Sequence, residues 1–502
     1  MTLNEILVKE GKRFPGKTYA EVVLSPAYEN AKKFLLKPML SISKAHLIML
    51  VEQGLLPRNI AIKIAEAIKE LDLESIQESK YDGSFEDLFF CVEKKIMEKT
   101  GEVGGSLHIA RSRNDMGVAM YRMVLREKLL LALKSMLRFQ ETLLDVAKKH
   151  RDTIVLGYTH TQQAQPMTFA HYMIAVHDSV SRDVKRFLAA YKNCNLSPLG
   201  AVALTTTGFP INRERVAQLL GFNGIVENAY DAISGADYLG ESASVVKLAL
   251  IDLGRFIQDL LIWSTQEFSA IYVADPYVQI SSIMPQKRNP VSLEHIRALS
   301  SSAVGSASTV LQMIHNTPFG DINDTEDDLQ PYLWNSLELA EKIFRLSTVV
   351  IGTIELNKEL LLNRAKDSFA TITELADTLV RELNIPFRTS HSITRHLVEI
   401  CLLRKIKPSE VTTELLDEAA KQVIGRPLLL SGEALKSALD PVHFVKVRSL
   451  TGGPAPEEID RLIRTRQELL REKRKKIEAE TKRITECLTN LDDITEYWSQ
   501  AL

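Results

Sequence analysis

The sequence predicts an all-α protein of three units, built around a bundle of long helices. Three observations carry that prediction. Residues 118–150 contain no Gly or Pro, and Met120, Val124, Leu131, Met136, Leu143 and Val146 recur at helical spacing. Four further stretches repeat the pattern, over 167–195, 236–270, 291–314 and 331–355. Strand signals are sparse, and no β-α-β alternation occurs anywhere.

Taken in order, residues 1–111 form an N-terminal helical unit. Their helical patterns are shorter, as from Pro57 to Leu71, and are broken at Gly83 and at Gly101, Gly104 and Gly105. The central unit, 112–360, opens with the 118–150 segment, a rod of about 50 Å at 1.5 Å per residue. Five long helices in succession with short connections read as a bundle. The third unit, 361–502, has breaks at Pro386, Pro408, Gly425, Pro427, Gly432 and Gly452-Gly453-Pro454. From Pro456 the chain is highly charged, with Ile459, Leu462, Leu469, Ile477 and Ile484 as a partial apolar stripe. That stripe predicts a helix packed on the body or on a partner subunit.

Hydrophobic residues make up 45% of the 502 residues, charged residues 25%, and the net charge is -2. The first two values are ordinary for a globular protein, and nothing in the charge favours nucleic acid or an anionic membrane. Cysteines 91, 194, 401 and 487 form no C-x-x-C pair, which argues against a disulfide framework or a zinc site. Met1-Thr2-Leu3-Asn4-Glu5 lacks the basic-then-apolar design of a secretory signal, and no apolar run reaches the ~18 residues a bilayer span needs. A cytoplasmic protein is expected.

Polar chemistry clusters in three runs, each beside a long helix. Leu107–Asp115 (LHIARSRND) ends where the longest helix begins; its Ser112, Arg113 and Asn114 supply a hydroxyl, charged donors and an amide at a helix N-terminus, a place that favours carboxylates. Gly157–Pro166 (GYTHTQQAQP) lies between helices, and its His160 sits in polar company with Thr159. Ser281–Pro290 (SSIMPQKRNP) holds paired serines, Lys287 and Asn289. A plain loop, with Asn289 as helix cap and Pro290 as first helical residue, accounts for those two residues but not for the serines or Lys287. No triad, nucleotide-cradling glycine loop or metal spacing appears. The inventory suits cofactor-free chemistry on a small polyanion.

The run SSIMPQKRNP resembles the signature loop of the fumarase/aspartase superfamily, with Ser281, Met284, Lys287 and Asn289 in register. RSRND, GYTHTQQAQP and the later Asp440-Pro441-Val442, Arg448 and Gly452–Glu457 resemble one branch of it, the argininosuccinate lyases. The similarity extends from about residue 80 to 460. It implies a homotetramer with active sites shared between subunits, and a reversible, cofactor-free and metal-free β-elimination that yields arginine and fumarate. Ser281 corresponds to the base, with Ser282 beside it. Lys287 and Asn289 would stabilise the dianion formed at the carboxylate. Thr159 and His160 belong to the acid/base region, with His160 oriented by Glu294. Ser112, Arg113, Asn114, Ser282, Met284 and Asn289 are implied as substrate contacts.

Departures from that pattern concern the amine half of the substrate. Ile280 replaces the signature's leading glycine. Pro318–Asp328 (PFGDINDTEDD) offers Gly320, Thr325 and Asp328 where the branch has Tyr, Gln and Lys. Leu204–Gly208 (LTTTG) and Asp231–Asp237 (DAISGAD) are altered too. Argininosuccinate is the expected substrate, with another N-substituted aspartate as the alternative and a non-enzymatic paralogue a distant third.

Overall fold

In the computed structural model, which describes residues 2–500, Leu36–Glu52 (α1) is the first long helix. Its Ile42, Ala45, Leu47, Ile48 and Leu50 are buried. They join the N-terminal half of the next long helix, through Met116, Met120 and Val124, in one core. The helical run Lys17–Glu52 is long and apolar enough to cross a membrane, but 61% of its most apolar window is buried. Those side chains turn inward against protein, as core helices of the same composition do.

The bundle comprises Arg113–Lys149 (α2), Phe169–Cys194 (α3), Asp237–Trp263 (α4), Val291–Ile314 (α5) and Gln330–Gly352 (α6). α2 packs on α3 and α6, and α4 packs on α3 and α5, with α5 against α6. Leu133, Phe139, Phe187, Leu250, Ile257, Leu337 and Phe344 fill the centre, each worth about 1.5–3 kcal/mol of transfer free energy when fully buried. α4 stops at Trp263, short of the expected 270. Past that point Thr265 turns its hydroxyl onto the Ile262 carbonyl (2.7 Å), and Ser269 adopts a left-handed φ of 45°.

Alternating helix direction sorts the connections to two ends. Ser112–Asn114, the 195–236 segment and 315–329 lie at the N-terminal end of α2. Residues 150–168, 264–290 and 353–357 lie at its C-terminal end. With 37 residues, α2 separates those ends by about 55 Å.

Beyond the bundle, Ile372–Leu383, Phe387–Arg404, Thr413–Ile424 and Gly432–Leu439 enclose a separate core of Leu375, Leu379, Leu397, Cys401 and Leu416. Pro456–Gln500 (α7) then runs back along the body, touching α2 and α1. Its Ile459, Leu462, Ile477 and Ile484 enter the bundle core. Leu469 instead faces out, 55% exposed, and Leu470 takes the inward place. Arg466 to Asp178 and Arg474 to Glu141 fasten the helix laterally.

Candidate active site

At the N-terminal end of α2, Ser112 is the N-cap. Its Oγ accepts from the Asn114 N–H (3.3 Å) and donates to Asn114 Oδ1 (2.9 Å), so the amide is pinned with its NH₂ outward. Asp115 completes a capping box by accepting from the Ser112 N–H (3.1 Å). The other Asp115 oxygen accepts from Gly200 (2.9 Å) and Val202 (3.0 Å). One buried carboxylate therefore ties the first signature to the 200–207 loop. Burial raises its pKa to about 6 despite those N–H donors. Gly200 has a φ of 82°, and a Cβ there would lie 2.6 Å from the Arg213 side chain, so only glycine fits.

Arg113 is already engaged. It makes 2.9 Å ion pairs with Glu86 and Asp87 and stacks over the Phe90 ring, 4.8 Å from its centroid. Within one chain this geometry favours a structural ion pair over a substrate contact.

The second run is not a simple helix connection but a β-hairpin, Ile154–Thr159 (β1) with Gln162–Thr168 (β2). Thr159 pairs with Gln162, and His160 and Thr161 form the tip with φ of 51° and 62°. Such a turn normally selects Asn-Gly; two bulkier residues in left-handed conformation at an exposed tip are strained, a common mark of functional positions. His160 makes no side-chain hydrogen bond among the described residues, so Glu294 does not orient it within a single chain.

The third run is tied at its base by a two-residue ladder, Gln279 with Asn289 and Ile280 with Arg288. Arg288 anchors it further, through Asp275 (2.5 Å), the Val273 carbonyl (2.9 Å) and the Tyr272 ring. Asn289 lies in that ladder and does not cap the next helix. Pro290 is the N-cap and α5 begins at Val291, where the 291–314 pattern predicts it, rather than at Pro290 as in the plain-loop reading. Inside the loop, Ser281 Oγ accepts from the N–H groups of Ile283 (3.3 Å) and Met284 (3.1 Å). Ser282 is exposed and has no side-chain hydrogen bond among the described residues. Met284, Lys287, Asn289 and Glu294 line an open cleft of about 960 Å³ beside Tyr272.

The candidate residues thus fall into two groups. Ser112, Arg113 and Asn114 occupy one end of α2. Thr159, His160, Ser281, Ser282, Met284, Lys287, Asn289 and Glu294 occupy the other, where Tyr158 and Phe268 touch (centroids 6.0 Å apart). β1 spans only about 20 Å, so the two groups stay on the order of 30 Å apart within one chain.

Residues 369–446 match the family model described as the C-terminal part of argininosuccinate lyase, and residues 50–305 match one described as lyase. "Argininosuccinate lyase 2" of Agrobacterium fabrum is 40% identical over 89% of each chain. The chain belongs to the argininosuccinate lyase family. As a member it is a carbon–nitrogen lyase of the fumarase/aspartase superfamily. An argininosuccinate lyase of Methanocaldococcus jannaschii is 38% identical over 88% of this chain and 90% of its own. The crystal structure of EDDS lyase in complex with formate superposes with a TM-score of 0.86 at 30% identity, covering 99% of this chain and 98% of the other.

Three contacts at the first end had no sequence signal. His46 Nε2 meets the Ile109 carbonyl (2.8 Å), Tyr121 donates to Asp327 (2.7 Å), and Asn114 donates to Asp321. His46 braces the strand of chain leading into Ser112. Burial, then the Arg111 charge, lowers its pKa to about 3. A depressed histidine pKa means the unfolded chain binds the extra proton first. The stabilising contribution is whole above about pH 6.5 and is lost as pH falls toward 3. Between pH 7 and pH 4, parent stability is expected to drop by up to about 3 kcal/mol more than that of His46→Gln. Denaturant midpoints of both proteins across that range provide the check, and parallel curves would refute it.

Proposed function

We propose that this chain catalyses the reversible β-elimination of argininosuccinate to arginine and fumarate in the cytoplasm, within a homotetramer whose sites combine residues of different subunits. The observation that carries the chemistry is Ser281 Oγ held by two backbone N–H groups, in a loop that also presents Lys287 and Asn289 to a cleft.

The steps follow from those groups. Deprotonated Ser281 takes the proton from the carbon next to a carboxylate, and the pair left behind delocalises into that carboxylate as a dianion. Lys287 and Asn289 face the charge as it develops, where oriented donors are most effective. The C=C bond then forms as the C–N bond breaks, and the departing nitrogen takes a proton. His160 suits that last transfer, since an imidazole ring nitrogen can both give and take a proton. Ser112, Asn114 and Thr159 hold the succinyl carboxylates.

Two observations support the oligomer. Ser112 and Asn114, which hold a succinyl carboxylate, and the proton-transferring groups sit at opposite ends of α2, so a second chain must bring them together. The bundle helices also leave Leu131, Leu248, Ile251, Ile262 and Val349 40–54% exposed, apolar surface suited to burial against other copies.

A second reading, elimination from another N-substituted aspartate, is favoured by one feature. Asp321, Asp324, Glu326, Asp327 and Asp328 crowd the segment that differs from the family pattern, and none has a salt-bridge partner among the described residues. The purified chain is expected to release fumarate from argininosuccinate, followed by ultraviolet absorbance, at on the order of 1–10 s⁻¹. No turnover, with release from a different N-substituted aspartate, would establish the second reading instead.

A further inference from the structure

The loop between α5 and α6 places an acidic side chain on a residue that the proposed function needs free. Asn114 has only its NH₂ side available, because Ser112 Oγ donates to its Oδ1 (2.9 Å). That NH₂ group donates to the carboxylate of Asp321. We propose that Asp321 is a resident carboxylate that occupies Asn114 in the ligand-free protein and competes with the carboxylate of the incoming substrate. The inference rests on the reading of Asn114 as a substrate-carboxylate ligand.

Asp321 is held in place from both sides. Before it, Tyr230 donates to the Phe319 carbonyl (2.9 Å) and its ring packs on the Phe319 ring. After it, the Thr325 carbonyl accepts from the buried Gln330 amide (3.2 Å), and Asp327 accepts from Tyr121 (2.7 Å). Asp321 also pairs with Glu326. Partial burial, then the bond and charge of Asp321, raises the Glu326 pKa to about 8. Arg113 acts on Glu326 only at a distance and is spent on Glu86 and Asp87.

Exchanging one carboxylate for another on the same amide is nearly neutral in hydrogen-bond energy. What remains is charge. An entering dicarboxylate meets Asp321, which has no salt-bridge partner among the described residues, as a like charge, and either displaces the loop or binds against repulsion. Asp321 therefore sets affinity for the succinyl half without taking part in bond breaking.

Calorimetric titration of the full-length protein with succinate, an unreactive dicarboxylate, tests this without depending on the amine half. Asp321→Asn keeps the side chain's shape and removes its charge; it is expected to tighten succinate binding about five- to tenfold while kcat for fumarate release changes less than about twofold. Asp321→Ala, which also frees the Asn114 amide, should tighten it at least as much. Unchanged or weaker binding in both variants would overturn the proposal. Asn114→Ala separates the two layers of inference: it should weaken succinate binding and abolish the effect of Asp321→Asn. If Asn114→Ala binds succinate as the parent does, the reading of Asn114 itself fails.

Discussion

Ser281→Ala is expected to cut fumarate release at least about a thousandfold while leaving fold and assembly intact. A serine hydroxyl is a poor base in water, so its surroundings must favour the deprotonated oxygen. Two N–H donors, from Ile283 and Met284, already point at that oxygen, and Lys287 lies on the same loop. Removing the oxygen removes the proton acceptor and leaves those donors without their target. The loop's frame does not depend on it. The Ser281 N–H still donates to the Lys287 carbonyl (3.2 Å), and the ladder of Gln279 with Asn289 is backbone only. Ser282→Ala, on an exposed residue outside that donor pair, should cost less than about tenfold in kcat. Single-turnover rates on both variants decide the matter. If Ser281→Ala keeps activity within tenfold and Ser282→Ala does not, the base is Ser282.

The long helices could be read from the sequence because each is a Gly- and Pro-poor amphipathic run whose period survives any packing partner. Val291–Ile314 matches residue for residue. What could not be read is where short polar segments spend their backbone hydrogen bonds. Nothing in Tyr158–Gln163 announces a hairpin, since His160-Thr161 lacks the Asn-Gly signature and the strands are held by Ile154 and Leu156 packing on Ala365, Ala370 and Val445, far along the chain. Local rules make Asn289 a helix cap, whereas its backbone pairs with Gln279 and Pro290 takes the N-cap position. The candidate site was legible as three polar motifs. Their distribution over both ends of α2 was not, because separation along a folded chain depends on helix direction. Nor was Asp321 on Asn114, a contact spanning about 200 residues that leaves no trace in either local pattern.

That two-ended distribution makes the proposed oligomer testable through activity. Asn114→Ala and His160→Asn damage opposite ends of α2, and each alone is expected to be nearly inactive, because every site in a uniform assembly lacks one essential group. Co-expressed, the two chains form mixed assemblies. A site that takes its succinyl-holding end from a His160→Asn chain and its proton-transferring end from an Asn114→Ala chain is whole. Random mixing gives that combination in about a quarter of sites, so activity should recover to about a quarter of the parent's. Pairing His160→Asn with Ser281→Ala probes the rule further, for both changes lie at the same end, where Tyr158 meets Phe268. If one chain supplied both residues to a site, every such site in the mixture would carry one lesion or the other, and no activity would return. Recovery in that pair as well would show that even neighbouring groups at one end serve different sites, so that at least three chains meet at each. Absence of recovery in the first pair, in mixed assemblies verified by mass, would instead mean that a single chain completes its own site, against the 55 Å that α2 places between its ends.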